Sequence, residues 1–303
     1  MAVPVKTNIH DGFNGSQEVE KTLKVAEMPQ KVRPDEMEII RKYALVTGAS
    51  SGIGWHISEE LAKRGYSVIA ASNQPDKLDD LKIKLEKAYS ILIFTINIDL
   101  AQENAAQHIF DYCDRNNFFV EVLVNNAGTL VFREAVKVDY SQTKSIINLH
   151  VTTPALLCRL FGEQMIMRRT GFILNVSSIS AVMPYPGISF YGPTKAFLRY
   201  FSRALRIEMK RYFVKVTCLI PGATATGLYD HKKFNTPLKR MLGIMKKPEN
   251  VAKAGVNALF NNHAEYIPGF LNKLIVILLP LIPSFLIGFI YKKMHPGLWK
   301  NSV

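Results

Sequence analysis

Tyr191 and Lys195 stand four residues apart in Tyr191-Gly192-Pro193-Thr194-Lys195, where a helix is predicted to begin. That spacing puts both side chains on one helical face. Pro193 suits the place, because the first turn of a helix needs no internal N–H partner. A free tyrosine, with a pKa near ~10, is a poor base at neutral pH. A lysine ammonium ~4 Å away at an effective dielectric of ~20 contributes up to ~4 kcal/mol, enough to shift the phenol by a few units. Such a pair can give a proton to an alkoxide or take one from an alcohol, the step that accompanies hydride transfer at a carbonyl carbon. Thirteen residues before Tyr191, Asn175-Val176-Ser177-Ser178 offers two hydroxyls that could orient the reacting oxygen. A Tyr-x-x-x-Lys alone usually marks nothing more than a surface pair, so its meaning depends on what surrounds it.

What surrounds it is an alternation of short apolar runs and helical stretches. YALVT from Tyr43, SVIAAS, ILIFTINI, VEVLVN, FILNVS and VKVTCLI read as six strands. Between them, helices are predicted over Gly52–Arg64, Asp76–Tyr89, about Ala101–Arg115, about Val138–Arg169 and about Pro193–Tyr212. Continuous β-branched runs separated by helices mean a parallel sheet covered on both faces. Right-handed crossovers make it a doubly wound α/β sheet of the Rossmann type. Between the first strand and the first helix lies Thr47-Gly48-Ala49-Ser50-Ser51-Gly52-Ile53-Gly54. Glycines there let backbone N–H groups approach a pyrophosphate, and the helix N-terminus supplies partial positive charge.

The TGxxxGxG spacing, taken with the later motifs, resembles the short-chain dehydrogenase/reductase family in its classical form, over about Lys42 to Pro268. The resemblance rests on TGASSGIG, Asp99 after the third strand, Asn125-Asn126-Ala127-Gly128 after the fourth, the Ser178/Tyr191/Lys195 set, and Pro221-Gly222 with Thr226 after the sixth. It implies a nicotinamide-dependent oxidoreductase. Tyr191 is then the general acid/base, Lys195 its electrostatic partner and a holder of the nicotinamide ribose, and Ser178 rather than Ser177 the group that orients the substrate. Cofactor contacts are expected at Thr47, Gly48, Ser50, Ser51, Gly52, Ile53, Gly54, Ser72, Asn73, Asp99, Leu100, Asn125, Ala127, Gly128, Tyr191, Lys195, Pro221, Gly222 and Thr226.

Which dinucleotide binds turns on the residues after the second strand, Ala71-Ser72-Asn73-Gln74. An acid there would hold a ribose 2′-hydroxyl and repel a 2′-phosphate. None is present, so NADP is favoured over NAD, although the arginine common in NADP-preferring relatives is missing too. The family commonly places an asparagine in the long helix after the fourth strand, where it supports a water relay from the lysine. In Asn148-Leu149-His150 that place falls on His150, read either as a buried structural histidine or as a proton carrier in its own right. A register slipped by one turn is the third reading.

The chain has 303 residues, 48% of them hydrophobic and 21% charged, as in an ordinary globular protein with a large core. Cys113, Cys158 and Cys218 are far apart, which suggests no disulfide framework and a reducing compartment. No metal-ligand spacing appears among the histidines and cysteines. The net charge of +13 concentrates locally around Lys239, Arg240, Lys246 and Lys247, but it forms no aromatic-interleaved stripe, so nucleic acid is not an expected partner. Residues 1–40 read as a polar extension without the apolar core of a signal peptide, and 41–268 as the catalytic domain. Within that domain, about 222–247 reads either as an amphipathic lid suited to a small lipophilic carbonyl or alcohol of ketosteroid, retinoid or acyl type, or as a segment whose apolar residues close the core. Residues 269–303 form an apolar tail. Its stretch 274–291, LIVILLPLIPSFLIGFIY, has no charge but carries Pro280 and Pro283, so two short helices in a membrane interface fit better than one straight span; a terminal cap over the substrate cleft, a dimer contact and a transmembrane anchor are the other readings. The expectation is a cytoplasmic homo-oligomer associated peripherally with membrane. The alternative is a cofactor-binding regulator or membrane-tethered adaptor with little turnover.

Overall fold

The computed structural model describes residues 42–182, 184–226 and 245–294. Seven parallel strands form one sheet: β1 (Tyr43–Thr47), β2 (Ser67–Ser72), β3 (Ile93–Asn97), β4 (Val120–Asn125), β5 (Gly171–Val176), β6 (Val214–Leu219) and β7 (Glu265–Tyr266). Their order across the sheet is β3-β2-β1-β4-β5-β6-β7. The chain therefore winds outward from β1 in one direction, returns, and continues from β4 in the other. The crevice where the direction reverses, at the C-terminal ends of β1 and β4, is where such sheets bind ligands.

Strands buried on both faces are apolar or small along their length, and β1 and β2 are buried throughout, their few polar side chains (Thr47, Ser67, Ser72) lying at the strand ends. Alternate residues feed two cores. Ala44, Val46, Val68, Val122 and Leu174 pack with Ile57 and Leu61 of α1 (Gly52–Ala62), with Leu78, Leu81 and Leu85 of α2 (Pro75–Tyr89), and with a later helix described below. Leu45, Ile69, Leu123, Ile173 and Val216 pack on the other face with Ile109 of α3 (Ala105–Arg115) and the helices that follow. The third helix starts at Ala105 rather than Ala101, because Asp99 accepts the Ala101 N–H at 3.0 Å and shapes the preceding residues into a turn.

The long helix expected over Val138–Arg169 is interrupted. It comprises α4 (Tyr140–Ile147), a π-helical turn at Asn148–Thr152, and α5 (Thr153–Arg168). Pro154 has no N–H to give the carbonyl of His150, so the regular ladder cannot run through this point. Two side chains fasten the widened turn to the loop after β3: Asn148 Nδ2 donates to the Ala101 carbonyl at 3.0 Å, and Thr153 Oγ1 to the Leu100 carbonyl at 2.8 Å.

Next come α6 (Tyr191–Met209) and α7 (Pro248–Phe260); α7 completes the first core through Val251, Val256 and Leu259. Neither α7 nor the two-residue β7 was expected from the sequence. The tail forms α8 (Phe270–Leu278), a 3-10 turn at Leu279–Leu281 and α9 (Ser284–Met294), the two short helices that the prolines imply. Among the described residues no single helix is long and apolar enough to cross a membrane, and the two tail segments bend by 110°. The three cysteines are buried and free.

Candidate active site

The glycine turn is locked by its neighbours across the sheet. Thr47 Oγ1 donates to the Val124 carbonyl and accepts from the N–H groups of Asn126 (3.0 Å) and Ala127 (3.2 Å). Asn126 returns the contact, its amide donating to the carbonyls of Thr47 (3.1 Å) and Gly48 (3.2 Å). Gly48 has φ +65°, and a Cβ on Gly54 would collide with the Gly48 carbonyl, so side chains are excluded where the turn meets α1. Ser50 Oγ lies 2.8 Å from Ser72 Oγ and ties the turn to the end of β2.

A cleft of about 730 Å³ runs past this turn at the crevice between β1 and β4. Gly48, Ser50, Ser51, Gly52 and Ile53 line its middle; Ser72, Asn73, Asp99 and Leu100 line one end; Ala127, Gly128, Ser178, Tyr191, Lys195, Pro221, Gly222 and Thr226 line the other. Thr47, Gly54, Asn125 and His150 lie behind the wall. The Asn125 amide donates to Asn175 Oδ1 at 2.8 Å, and Asn175 Nδ2 donates to Ser202 Oγ at 2.9 Å, so Asn125 fastens β4 to β5 and α6. It is the neighbouring Asn126 that faces the cleft.

Lys77, in the first turn of α2, also lines the cleft beside Ser72 and Asn73. Sequence reasoning missed it by looking for a cation in the loop rather than inside the helix. Pro75 at the helix start was the available signal, since it fixes where the first turn begins. Asp99 is the only acid among the described lining residues, and Lys77 and Lys195 are the only cations.

At the other end, Tyr191, Lys195 and Ser178 meet in the cleft wall and are only 8%, 4% and 7% exposed. Lys195 Nζ lies 5.8 Å from the Tyr191 ring centroid and donates to the Val176 carbonyl at 3.0 Å. Burial pulls its pKa down to about 8, against a smaller opposing pull from Cys218. The ammonium thus prevails at neutral pH although its site is buried. Ser177 Oγ donates to the Lys195 carbonyl at 2.7 Å, so this serine secures α6, and Ser178, which accepts the Ser180 N–H at 3.2 Å, borders the cleft next to it.

His150 is 1% exposed and sits just behind the pair. A Cβ on Gly128 would lie 3.1 Å from His150 Nε2 and 3.5 Å from Lys195 Nζ, which puts both groups around one point. Nε2 accepts the Thr129 N–H at 3.0 Å and therefore carries no proton. Nδ1 lies 3.1 Å from Thr194 Oγ1, whose own proton goes to the Tyr191 carbonyl at 2.9 Å; Nδ1–H is then the donor. The ring is neutral, and burial, followed by the Lys195 charge, holds its pKa well below the usual range. His150 thus lies close to Lys195.

Of the segment expected to be a lid, about 222–247, residues 227–244 lie outside the described residues. Its two ends meet: the Ala225 N–H donates to the Lys246 carbonyl at 3.0 Å, and the Lys246 N–H to the Ala223 carbonyl at 2.9 Å.

A glycine turn thus stands at the crevice of a doubly wound parallel sheet, where such sheets bind ligands, with a buried Tyr-Lys pair and a serine at one end of the same cleft. Residues 42–235 match the short chain dehydrogenase family, and the chain belongs to it. It is 33% identical over 198 residues to the very-long-chain 3-oxoacyl-CoA reductase-A of Danio rerio, covering 63% of this chain and 61% of that protein. It is 30% identical over 237 residues to the 17-beta-hydroxysteroid dehydrogenase type 3 of Homo sapiens, covering 76% of this chain and 74% of that one. The crystal structure of L-sorbose reductase from Gluconobacter frateurii, complexed with NADPH and L-sorbose, superimposes with a TM-score of 0.67 at 25% identity, over 75% of this chain and 94% of that one. The chain spans about three-fifths of the length of the first of these relatives.

Proposed function

We propose that the protein is an NADP(H)-dependent reductase of a lipophilic ketone, of the 3-oxoacyl or ketosteroid type, acting at a membrane surface. One observation carries the reading: the glycine turn and the Ser178, Tyr191 and Lys195 side chains line a single cleft. Its volume suits a ligand of cofactor size, and the turn leaves no room for side chains where a pyrophosphate would approach. When bound, the nicotinamide supplies the hydride.

This chain's residues would do the rest. The α1 N-terminus with Ser50, Ser51 and Ile53 holds the pyrophosphate, and Asp99 and Leu100 border the adenine. Ser72, Asn73 and Lys77 receive the ribose 2′-phosphate; the cation at Lys77 and the lack of an acid in Ala71-Ser72-Asn73-Gln74 favour NADP over NAD. Gly128, Pro221, Gly222 and Thr226 flank the nicotinamide end. Ser178 hydrogen-bonds the substrate carbonyl, and Tyr191 Oη gives it a proton as it becomes an alcohol. The Lys195 ammonium favours the resulting phenolate by about 3 kcal/mol at ~6 Å and an effective dielectric of ~20. His150 positions rather than relays: with both ring nitrogens committed to Thr129 and Thr194, it holds the Gly128 loop against the start of α6. The apolar faces of α8 and α9 support peripheral association with membrane, where such substrates are dissolved.

The test is cofactor oxidation by the full-length protein with a panel of 3-oxoacyl thioesters and steroid ketones, using NADPH and NADH. Tyr191→Phe is expected to lower kcat by about a thousandfold or more while the cofactor Kd stays within about twofold. Tight NADPH binding without turnover of any ketone would instead mark a regulator.

A further inference from the structure

The tail helices have two unlike faces. On the inner one, Asn272 and Val276 of α8 and Ile287 and Tyr291 of α9 are buried, each pair four residues apart. Val276 packs with Cys218, Ile220, Ile179 and Val182, that is, on the 3-10 turn (Ile179–Val182) that begins one residue after Ser178. Asn272 lies so close to Gly222 that a Cβ there would be 2.5 Å from its amide, and Tyr291 stacks edge-on against Tyr185 at 6.1 Å. The inner face thus packs on segments that adjoin Ser178 and Gly222 in the cleft wall.

The outer face is apolar and uncovered. Phe270, Ile277, Leu281, Phe285 and Phe289 are 77%, 65%, 73%, 77% and 63% exposed, at helical spacings opposite the buried set. Water-exposed apolar surface on this scale marks an interaction site. Charge selects the partner. From Tyr266 to Val303 the sequence has Lys273, Lys292, Lys293 and Lys300 and no aspartate or glutamate. A second copy would bring the same positive charge against itself, whereas an anionic bilayer complements it and accepts the apolar face. The 110° bend lets both short helices lie in the interface without crossing it.

We infer that α8 and α9 insert their outer face into an anionic lipid surface and thereby set the substrate end of the cleft against the bilayer, so that ketone enters from the lipid. The surface assignment stands on the tail alone; the entry route rests on the reductase reading. The full-length protein floated with vesicles of phosphatidylcholine containing about 30% phosphatidylserine is expected in the vesicle fraction, and much less so with phosphatidylcholine alone. The triple variant Ile277→Glu, Leu281→Glu, Phe285→Glu should lose vesicle binding at least tenfold and still reduce a water-soluble ketone within twofold of the parent. With the parent, anionic vesicles should raise turnover of a bilayer-dissolved ketone about tenfold and leave the soluble ketone unchanged. Equal flotation of parent and variant, or none by the parent, overturns the surface. So does a concentration-dependent dimer that the triple variant disperses, since the face would then belong to a second copy. Flotation without acceleration of the bilayer-dissolved ketone overturns the entry route. Failure of all ketone turnover, soluble included, would reject the reductase reading and leave the flotation result intact.

Discussion

His150→Asn isolates one buried titration. Folded, the histidine is neutral because Nε2 accepts the Thr129 N–H, the ring is buried, and Lys195 lies close by. Unfolded, it titrates near 6.5. A base whose folded pKa is depressed contributes stability that is full above the unfolded value and is lost as pH falls. Below pH 6.5 the unfolded chain takes up a proton that the folded one refuses. The loss is about 1.4 kcal/mol per pH unit until the folded-state value is reached. Lys195, with its pKa of about 8, stays an ammonium through this window and adds no slope of its own. Asparagine can keep one donor and one acceptor at the site but does not titrate. It is expected to cost about 1–3 kcal/mol at pH 7.5 through imperfect hydrogen bonds. Urea denaturation of both proteins at pH 7.5 and 5.5 gives the comparison, the other histidines cancelling in the difference. The gap between parent and variant should shrink by about 1.4 kcal/mol at pH 5.5. A gap that does not change with pH would show that His150 is not held neutral, and the relay reading would return. The acid limb of the kcat profile should likewise be the same in both proteins.

Three further outcomes follow from the same geometry. Lowering Lys195 from 10.5 to about 8 corresponds to about 3 kcal/mol of destabilisation, fully present below pH 8 and relieved as pH rises to 10.5. Lys195→Met should therefore stabilise the cofactor-free protein at pH 7 by about 1–2 kcal/mol, after the lost bond to Val176, while turnover falls at least about a hundredfold; a destabilised variant would contradict this. Lys77→Glu should raise the KM for NADPH about tenfold or more and leave that for NADH nearly unchanged; equal effects on both cofactors would remove Lys77 from the phosphate site. Burial pushes the Cys113, Cys158 and Cys218 thiols up to about 12, so a thiol reagent at pH 8 should label them only at the rate of unfolding.

Much of the fold was legible because strands buried on both faces cannot hide: YALVT and SVIAAS are apolar or small at every position. The cluster of Tyr191, Lys195 and Ser178 was legible for another reason, since the three lie close in sequence and share a helix start and the strand before it. What was illegible depended on contacts between distant segments. Whether His150 is neutral is decided by Thr129 and Thr194, which no spacing rule links to it. The π turn needed the missing N–H of Pro154, easily passed over inside an otherwise helical stretch. Lys77 reads as one more charge on an amphipathic helix until the β1–β2 end of the cleft is built. Asn125 and Asn126 read alike, and only the bond from Asn125 to Asn175 shows which of them turns inward.

The paired backbone at Ala223–Ala225 and Lys246 has a consequence for how this scaffold could change its substrate. Because the backbone at 223–225 and at 246 is fastened together beside Gly222, the segment joining these points starts and finishes at one fixed place. Lengthening such a loop costs little, about 0.6 kcal/mol for each doubling. Changes of sequence or length between the two anchors are therefore expected to leave the sheet, the glycine turn and the Tyr191–Lys195 pair in place.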